Sequence, residues 1–93
     1  MFVRVKFFGD LRNYLNKSWT LVEVPQGSSI HSFILKLAND VGSDIPAKLI
    51  EKDDIKSGIR ILVNGRNINY LSRLDTILND GDLITIMPVA GGG

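Results

Sequence analysis

The sequence SSIHSFILKLANDVG, residues 28–42, carries apolar side chains at steps of three and four, which is the spacing of one helix face. Ser28 or Ser29 can cap the start of such a helix, and Gly42 is a typical stop signal. The pattern predicts one long amphipathic helix with the apolar face Ile30, Phe33, Ile34, Leu37, Ala38 and Val41. Since an exposed apolar face is unfavourable, the rest of the chain is expected to cover it.

Strand patterns lie on both sides of this helix. Residues 2–8 alternate with a period of two, and residues 19–24 are rich in β-branched and aromatic side chains. Residues 59–64 and 83–87 have the same character, and Asn64-Gly65 is the strongest tight-turn signal in the chain. Two strands, one long helix and further short strands predict an α+β domain, with a mixed sheet of four or five strands packed on one main helix.

The remaining segments carry weaker signals. Residues 43–58 are expected to be irregular, except that Pro46 can open a short helix, and Lys52-Asp53-Asp54 is typical of a solvated loop. Asp80 and Asp82 lie in a run of turn-forming residues. We therefore expect their carboxylates to support the turn and not to bind a metal or transfer protons.

The composition excludes several functional classes. A chain of 93 residues, with 44% hydrophobic and 23% charged residues, has the size and balance of one soluble domain. Its net charge of +1 makes no electrostatic case for nucleic acid, and its N-terminus lacks the continuous apolar stretch of a membrane helix or signal peptide. The chain has no cysteine and a single histidine, His31, so no metal site is expected. The lack of cysteine also fits a reducing cytoplasm.

The C-terminus differs in character from the rest of the chain. Pro88 ends regular strand pairing because it lacks an amide proton, and residues 89–93 have almost no side chains that would anchor them. These features predict a folded domain over residues 1–88 and a flexible glycine tail over residues 89–93. Composition alone favours an idle tail over a chemical role.

A set of short motifs, taken in their order along the chain, favours a chemical role for the tail. Together the motifs resemble the small subunit of molybdopterin synthase, in the ubiquitin-like sulfur carrier family. The motifs are VKFFGDLR at 5–12, VPQGSS at 24–29, VNG at 63–65, DGD at 80–82 and PVAGG at 88–92. The resemblance implies the β-grasp fold of ubiquitin. It also implies that the terminal glycine carboxylate is adenylated, converted to a thiocarboxylate, and used as a sulfur donor in molybdenum cofactor biosynthesis.

The resemblance further implies two protein partners. One is an E1-like adenylating enzyme that uses ATP, and the other is the large catalytic subunit of the synthase. This chain would then be a non-catalytic carrier that binds no cofactor itself, with Gly91, Gly92 and Gly93 as its reactive tail. The family pattern ends in two glycines, whereas this chain has a third. Either Gly93 carries the reactive carboxylate, or the last residue is removed first so that Gly92 carries it, or the tail function is lost.

Strand parity predicts where such partners dock. With Val5 and Phe7 facing the core, Phe8 faces outward, and the same alternation places Leu62 and Met87 outward. Ordering the tail inside a partner costs about 1–2 kcal/mol per residue in backbone entropy, so the folded domain has to supply docking energy. The predicted partner-binding residues are Phe8, Leu62, Met87, Pro88, Val89 and, for an acidic partner, Arg12.

Three other functions stay open at this point. The activated carboxylate of a ubiquitin-like modifier forms isopeptide bonds with lysines of target proteins and requires the same tail. The thiamine-pathway sulfur carrier also resembles this chain, but it usually lacks a stretch as long as residues 43–58. A plain interaction module with an idle tail is the third alternative.

Overall fold

The alternating N-terminal residues form the first strand, which buries Val3, Val5 and Phe7 and exposes the residues between them. The computed structural model describes residues 1–89. Its strands and helices are β1 Phe2–Phe7, α1 Gly9–Leu15, β2 Trp19–Glu23, α2 Ile30–Val41, α3 Ile45–Leu49, β3 Ile50–Glu51, β4 Asp54–Ile55, β5 Ile59–Val63, β6 Arg66–Asn67 and β7 Leu83–Pro88. Two short 3-10 helices, Ile68–Tyr70 and Arg73–Asp75, lie between β6 and β7.

The main sheet has five strands in the order β2-β1-β7-β5-β6. β1 and β7 run parallel at the centre, whereas β1 with β2, β5 with β7, and β5 with β6 are antiparallel. The first and the last strand of the sheet in chain order therefore lie side by side. This α+β architecture is the β-grasp fold, so the predicted fold class is confirmed.

Helix α2 forms as predicted and covers one face of the sheet. The Ser29 hydroxyl accepts a hydrogen bond from the Ser32 amide at 3.1 Å and is thus the cap, while Gly42 follows the last helical residue. Ser28 has a different role, because its hydroxyl donates to the Pro25 carbonyl at 2.7 Å. The buried helix residues Ile30, Phe33, Ile34 and Leu37 pack in one core with the inward residues of β1, β5 and β7.

Within residues 43–58 the short helix opened by Pro46 forms, but the prediction of irregular structure for the rest of the segment was wrong. This segment contains α3, with Pro46 in its first turn, and a two-stranded hairpin of β3 and β4. Lys52 and Asp53 form the hairpin turn with φ of 53° and 62°, which is the left-handed conformation that such turns require. The usual Asn-Gly signal is missing there, so local sequence did not indicate the turn. Burial of residues such as Leu49 holds the segment in place.

Two exposed polar contacts attach this segment to the rest of the domain. Arg73 donates from Nη2 to Asp54 Oδ2 at 2.7 Å and from Nε to Asp54 Oδ1 at 3.2 Å, and these bonds lower the pKa of Asp54. The Tyr14 hydroxyl donates to the Asp44 carboxylate, which lowers the pKa of Asp44 and raises the pKa of Tyr14. Because solvent screens both contacts, they contribute mainly to orientation.

The aspartates near residue 80 organise a turn. Asp80 Oδ1 accepts a hydrogen bond from the Phe2 amide at 2.8 Å. Asp82 accepts from Asn64 Nδ2 at 2.9 Å and from the Asn79 amide at 2.8 Å. These carboxylates therefore tie the turn before β7 to β1 and to the turn after β5.

Candidate functional site

The sheet has a second face, opposite α2, which is lined by exposed and half-buried residues. Strand alternation defines it, because the neighbouring residues Val3, Val5, Ile84 and Ile86 all point into the core. We call this surface the open face. Its residues on β2, β1, β7 and β5 are Trp19, Leu21, Glu23, Phe2, Arg4, Lys6, Phe8, Leu83, Thr85, Met87, Arg60 and Leu62.

The three apolar residues predicted from parity lie on the open face. The Phe8 amide donates to the Ile86 carbonyl at 3.1 Å, which continues the β1–β7 ladder by one residue and places Phe8 beside Met87. On the other side of β7, Leu62 pairs with Thr85, two residues before Met87. Phe8 and Met87 therefore lie side by side at one end of the sheet, and Leu62 lies one diagonal step from Met87. The role of all three side chains in partner binding stays a prediction.

The tail begins at that same end of the sheet. We call this region, formed by Phe8, Gly9, Gly58, Pro88 and Val89, the tail base. Pro88 is the last residue of β7, and the Val89 amide donates to the Gly58 carbonyl at 2.8 Å. The chain is thus held to the sheet one residue beyond the predicted domain boundary. The reactive tail residues Gly91, Gly92 and Gly93 lie outside the described residues.

Gly9 is a residue of the tail base that was not predicted from the sequence. It has a φ of +62°, and a Cβ built on it would lie 2.5 Å from Pro88 Cγ and 2.9 Å from Pro88 Cδ. Glycine therefore lets α1 begin directly against the proline ring that precedes the tail. The only signal in the sequence was a glycine immediately after an alternating strand.

Replacing Gly9 with alanine is expected to lower the free energy of unfolding by about 2–4 kcal/mol, as the sum of backbone strain and overpacking. Chemical denaturation measures this change. Gly27→Ala is the matched control, because Gly27 has a φ of +78° and no atom of residues 1–89 within 4 Å of the added methyl group. Strain alone predicts a loss of about 1–2 kcal/mol for the control. Equal losses in the two variants would contradict a specific contact with Pro88.

A groove of about 460 Å³ runs beside the tail base. It lies between α1, α3, the start of β5 and the end of β7, and its lining is mostly apolar with two lysines, Lys48 and Lys56. Lys48 Nζ lies 4.2 Å from the centre of the Tyr14 ring, so the cation is held against α1. Sequence reasoning missed this groove because the local sequence does not indicate that α3 packs beside α1 and the end of β7.

Arg12 does not join the predicted apolar cluster. It lies on α1 and lines a separate polar depression with Asn13, Asn16, Lys17 and Ser18. The residues of α1 that contact the tail-base groove are Asp10, Leu11 and Tyr14. Arg12 is thus outside the tail-base groove, and its electrostatic role toward an acidic partner stays a prediction.

The open face contains further residues that sequence reasoning missed. Trp19 and Leu21 on β2 are 59% and 51% exposed. Trp19 shares a depression of about 280 Å³ with Arg4, Lys6 and Leu83. The face carries the basic residues Arg4, Lys6 and Arg60 against one acidic residue, Glu23. Its chemistry fits a protein partner with an apolar centre and acidic groups around it.

The described part of the chain has few other candidate sites. Within residues 1–89, no group of three His, Asp or Glu side chains is placed to hold a metal ion. Over the same residues, the helices are too short or too polar to cross a membrane.

Comparison with known proteins identifies the family. The model of the ThiS family matches residues 5–93, which include all of the open face except Phe2 and Arg4, the tail base and the glycine tail. This chain belongs to the ThiS family. It is thus a ubiquitin-like protein of the class that contains sulfur carriers and protein modifiers.

Individual relatives of this ThiS-family chain come from both groups. It is 32% identical over 65 residues to the "Putative sulfur carrier protein" of Archaeoglobus fulgidus, which covers 70% of this chain and 74% of the relative. It is 25% identical to small archaeal modifier protein 3 of Haloferax volcanii over 93 residues, the full length of both chains. The solution structure of small archaeal modifier protein 1 from Methanosarcina acetivorans is 30% identical, with a TM-score of 0.79 and coverage of 99% and 96%.

Proposed function

We propose that this chain is a sulfur carrier whose terminal glycine carboxylate is adenylated by an E1-like enzyme with ATP and then converted to a thiocarboxylate. The large catalytic subunit of molybdopterin synthase is the proposed acceptor of the sulfur, and the cytoplasm is the proposed compartment. One observation supports the carrier role above all others. β7 is the central strand of the open face, it ends beside Phe8 at Pro88, and only Val89 and Ala90 separate it in sequence from the three glycines of the tail.

The chemistry requires no catalytic side chain from this protein. A carboxylate is a poor electrophile until one oxygen becomes part of a good leaving group. Adenylation supplies that group, because the carboxylate attacks the α-phosphorus of ATP, releases pyrophosphate and forms an acyl-phosphate anhydride. A sulfur nucleophile then attacks the acyl carbon and displaces AMP. If the nucleophile is hydrosulfide, displacement of AMP gives the glycine thiocarboxylate directly. If it is a partner's cysteine persulfide, the product is an acyl disulfide, and a second thiol of the partner then attacks the donor cysteine sulfur, forms a disulfide with it and releases the glycine thiocarboxylate.

The geometry of the tail base suits delivery into a partner. Since Val89 is bound to Gly58, the four residues that follow can reach about 13–14 Å when fully extended. Glycine permits close approach of the surrounding protein because it has no Cβ. Ordering these residues costs about 1–2 kcal/mol each, and burial of the apolar part of the open face in a partner can offset that cost.

A reconstituted activation assay tests the proposal. The chain is incubated with a candidate adenylating enzyme and ATP, and AMP release is measured together with the mass of the intact protein. The expected product has one carboxylate oxygen replaced by sulfur when a sulfur donor is added. A chain that supports no AMP release with any adenylating enzyme of its host would contradict the carrier role.

Protein modification is a second candidate function, favoured by the similarity to two small archaeal modifier proteins. Both functions begin with the same adenylated carboxylate, and they differ in the final nucleophile. Mass spectrometry of host proteins separates them. Lysine peptides that carry a glycine remnant of this chain indicate conjugation, whereas a terminal thiocarboxylate without such peptides indicates sulfur transfer alone.

A further inference from the structure

Strand β2 is at one edge of the five-stranded sheet and pairs with β1 alone among the described strands. Edge strands of natural proteins are usually protected by proline, by lysine or by a covering element, because their free backbone groups can pair with another chain. β2 has the sequence WTLVE and lacks proline and lysine. Its edge is therefore suited to pairing with a further strand.

The hydrogen-bond pattern shows which groups are free. Met1 and Val24 exchange two backbone hydrogen bonds, each of 2.9 Å, and Phe7 donates to Ser18. Antiparallel pairs alternate between bonded and non-bonded, so the even-numbered residues of β2 bond to β1. The N–H and C=O groups of the odd-numbered residues Trp19, Leu21 and Glu23 consequently point outward at the free edge of the sheet.

We propose that β2 pairs antiparallel with β2 of a second copy of this chain, about a two-fold axis at Leu21. In this register Leu21 lies opposite Leu21 of the other copy, and Trp19 lies opposite Glu23. All three pairs are of the bonded type, so every outward N–H and C=O group in β2 finds a partner. The two sheets join into one continuous sheet of ten strands, twice the five of each copy.

The side chains favour a second copy over an unrelated strand. Leu21 is 51% exposed in the single copy. In the dimer it lies against Leu21 of the other copy, so apolar surface of both side chains is removed from water. Glu23 of one copy lies diagonal to Lys17 of the other, which is a pairing of opposite charges. The strand is thus complementary to itself. The pairing at the β2 edge leaves Met87 on the central strand β7 and Leu62 on β5 uncovered.

Amide hydrogen exchange of the unmodified chain tests this arrangement directly. The amides of Trp19, Leu21 and Glu23 are expected to exchange more slowly at millimolar than at micromolar protein concentration. The amides of Thr20 and Val22 bond to β1 and should be protected at both concentrations. Sedimentation measured over the same range is expected to show a monomer–dimer equilibrium.

Two substitutions at the axis sharpen the test. Leu21→Pro removes an outward N–H and leaves the bonds between β1 and β2 in place, so it is expected to give a monomer at all concentrations. Leu21→Lys places like charges opposite each other and should raise the dimer dissociation constant at least about tenfold. Leu35→Lys is the matched control, because Leu35 is 49% exposed on α2, and it should leave the dimer unchanged.

Three results would overturn the proposal. The first is a native chain that stays monomeric at millimolar concentration. The second is a dimer that persists equally in Leu21→Lys and in the native chain. The third is protection of the β2 edge amides only after addition of an adenylating enzyme, which would assign the edge to that enzyme.

Discussion

Deletion of Gly92 and Gly93 is expected to abolish adenylation while leaving the fold unchanged. Two residues supply about 7 Å of reach, and misplacement of a reacting atom by about 1 Å can already cost 100-fold in rate. AMP release should therefore fall at least 100-fold, to about the background rate. The buried core residues all precede Pro88, so the thermal midpoint should match that of the full chain.

A deletion of Gly93 alone is the control that separates the two possible reactive residues. If this variant keeps full activity, Gly92 carries the reactive carboxylate after removal of the last residue. If it is inactive, Gly93 is the reactive terminus. Full activity after deletion of both glycines would contradict the carrier role, and unfolding of that variant would show that the tail stabilises the domain.

A glutamate substitution on the open face is expected to weaken adenylation nearly as strongly as the deletion of Gly92 and Gly93. Leu62→Glu or Met87→Glu places a carboxylate in the apolar part of the surface that we propose docks on the partner. Burying that charge without a counter-ion is unfavourable. Substitution of a residue at the centre of an interface can cost about 2 kcal/mol or more of binding free energy, which is roughly a 30-fold loss of affinity. We expect the KM for this chain to rise about 10- to 100-fold in the AMP-release assay, with kcat less affected.

The matched control for Leu62→Glu is Leu35→Glu. Leu35 lies on α2, on the opposite side of the domain, and it is also a partly exposed leucine. Its replacement should leave KM unchanged, and circular dichroism should show native folding of both variants. Equal effects of the two substitutions would indicate that charge or stability, and not the open face, determines activation.

Most of the regular structure could be predicted because it depends on short-range patterns. The alternation in residues 2–7 gives the correct buried face of β1, and the helix spacing of residues 30–41 gives α2 and its buried residues. Asn64-Gly65 forms its turn with φ of 51° and 85°. In each case the backbone conformation and the side-chain pattern favour the same local structure.

Other elements could not be predicted because their cause lies far away in the chain. The hairpin turn at Lys52 and Asp53 adopts a conformation that neither residue prefers on its own. Burial of Ile45 and Leu49 in the common core holds this segment, and the exposed ion pair between Asp54 and Arg73 orients it. Because these contacts join residues that are distant in the sequence, the conformational preferences of the local residues do not predict them.

The same distinction applies to the candidate site. Strand parity placed Phe8, Leu62 and Met87 outward, but it could not show that Gly9 would meet Pro88 or that Trp19 and Leu21 would lie at a free edge. Those facts depend on which strands are neighbours. A sequence specifies the faces of its strands through a two-residue period, whereas the order of strands is decided by the packing of the whole core.

The sequence by itself therefore determined the fold class, the outward-facing residues and a chain end made of glycine, since each follows from local periodicity or residue type. Only the tertiary structure decided that β1 and β7 lie side by side and that α1 begins against Pro88. It also decided that β2 is left at an edge. The physical reason is that these features result from burial of a shared core, which draws together residues from both ends of the chain.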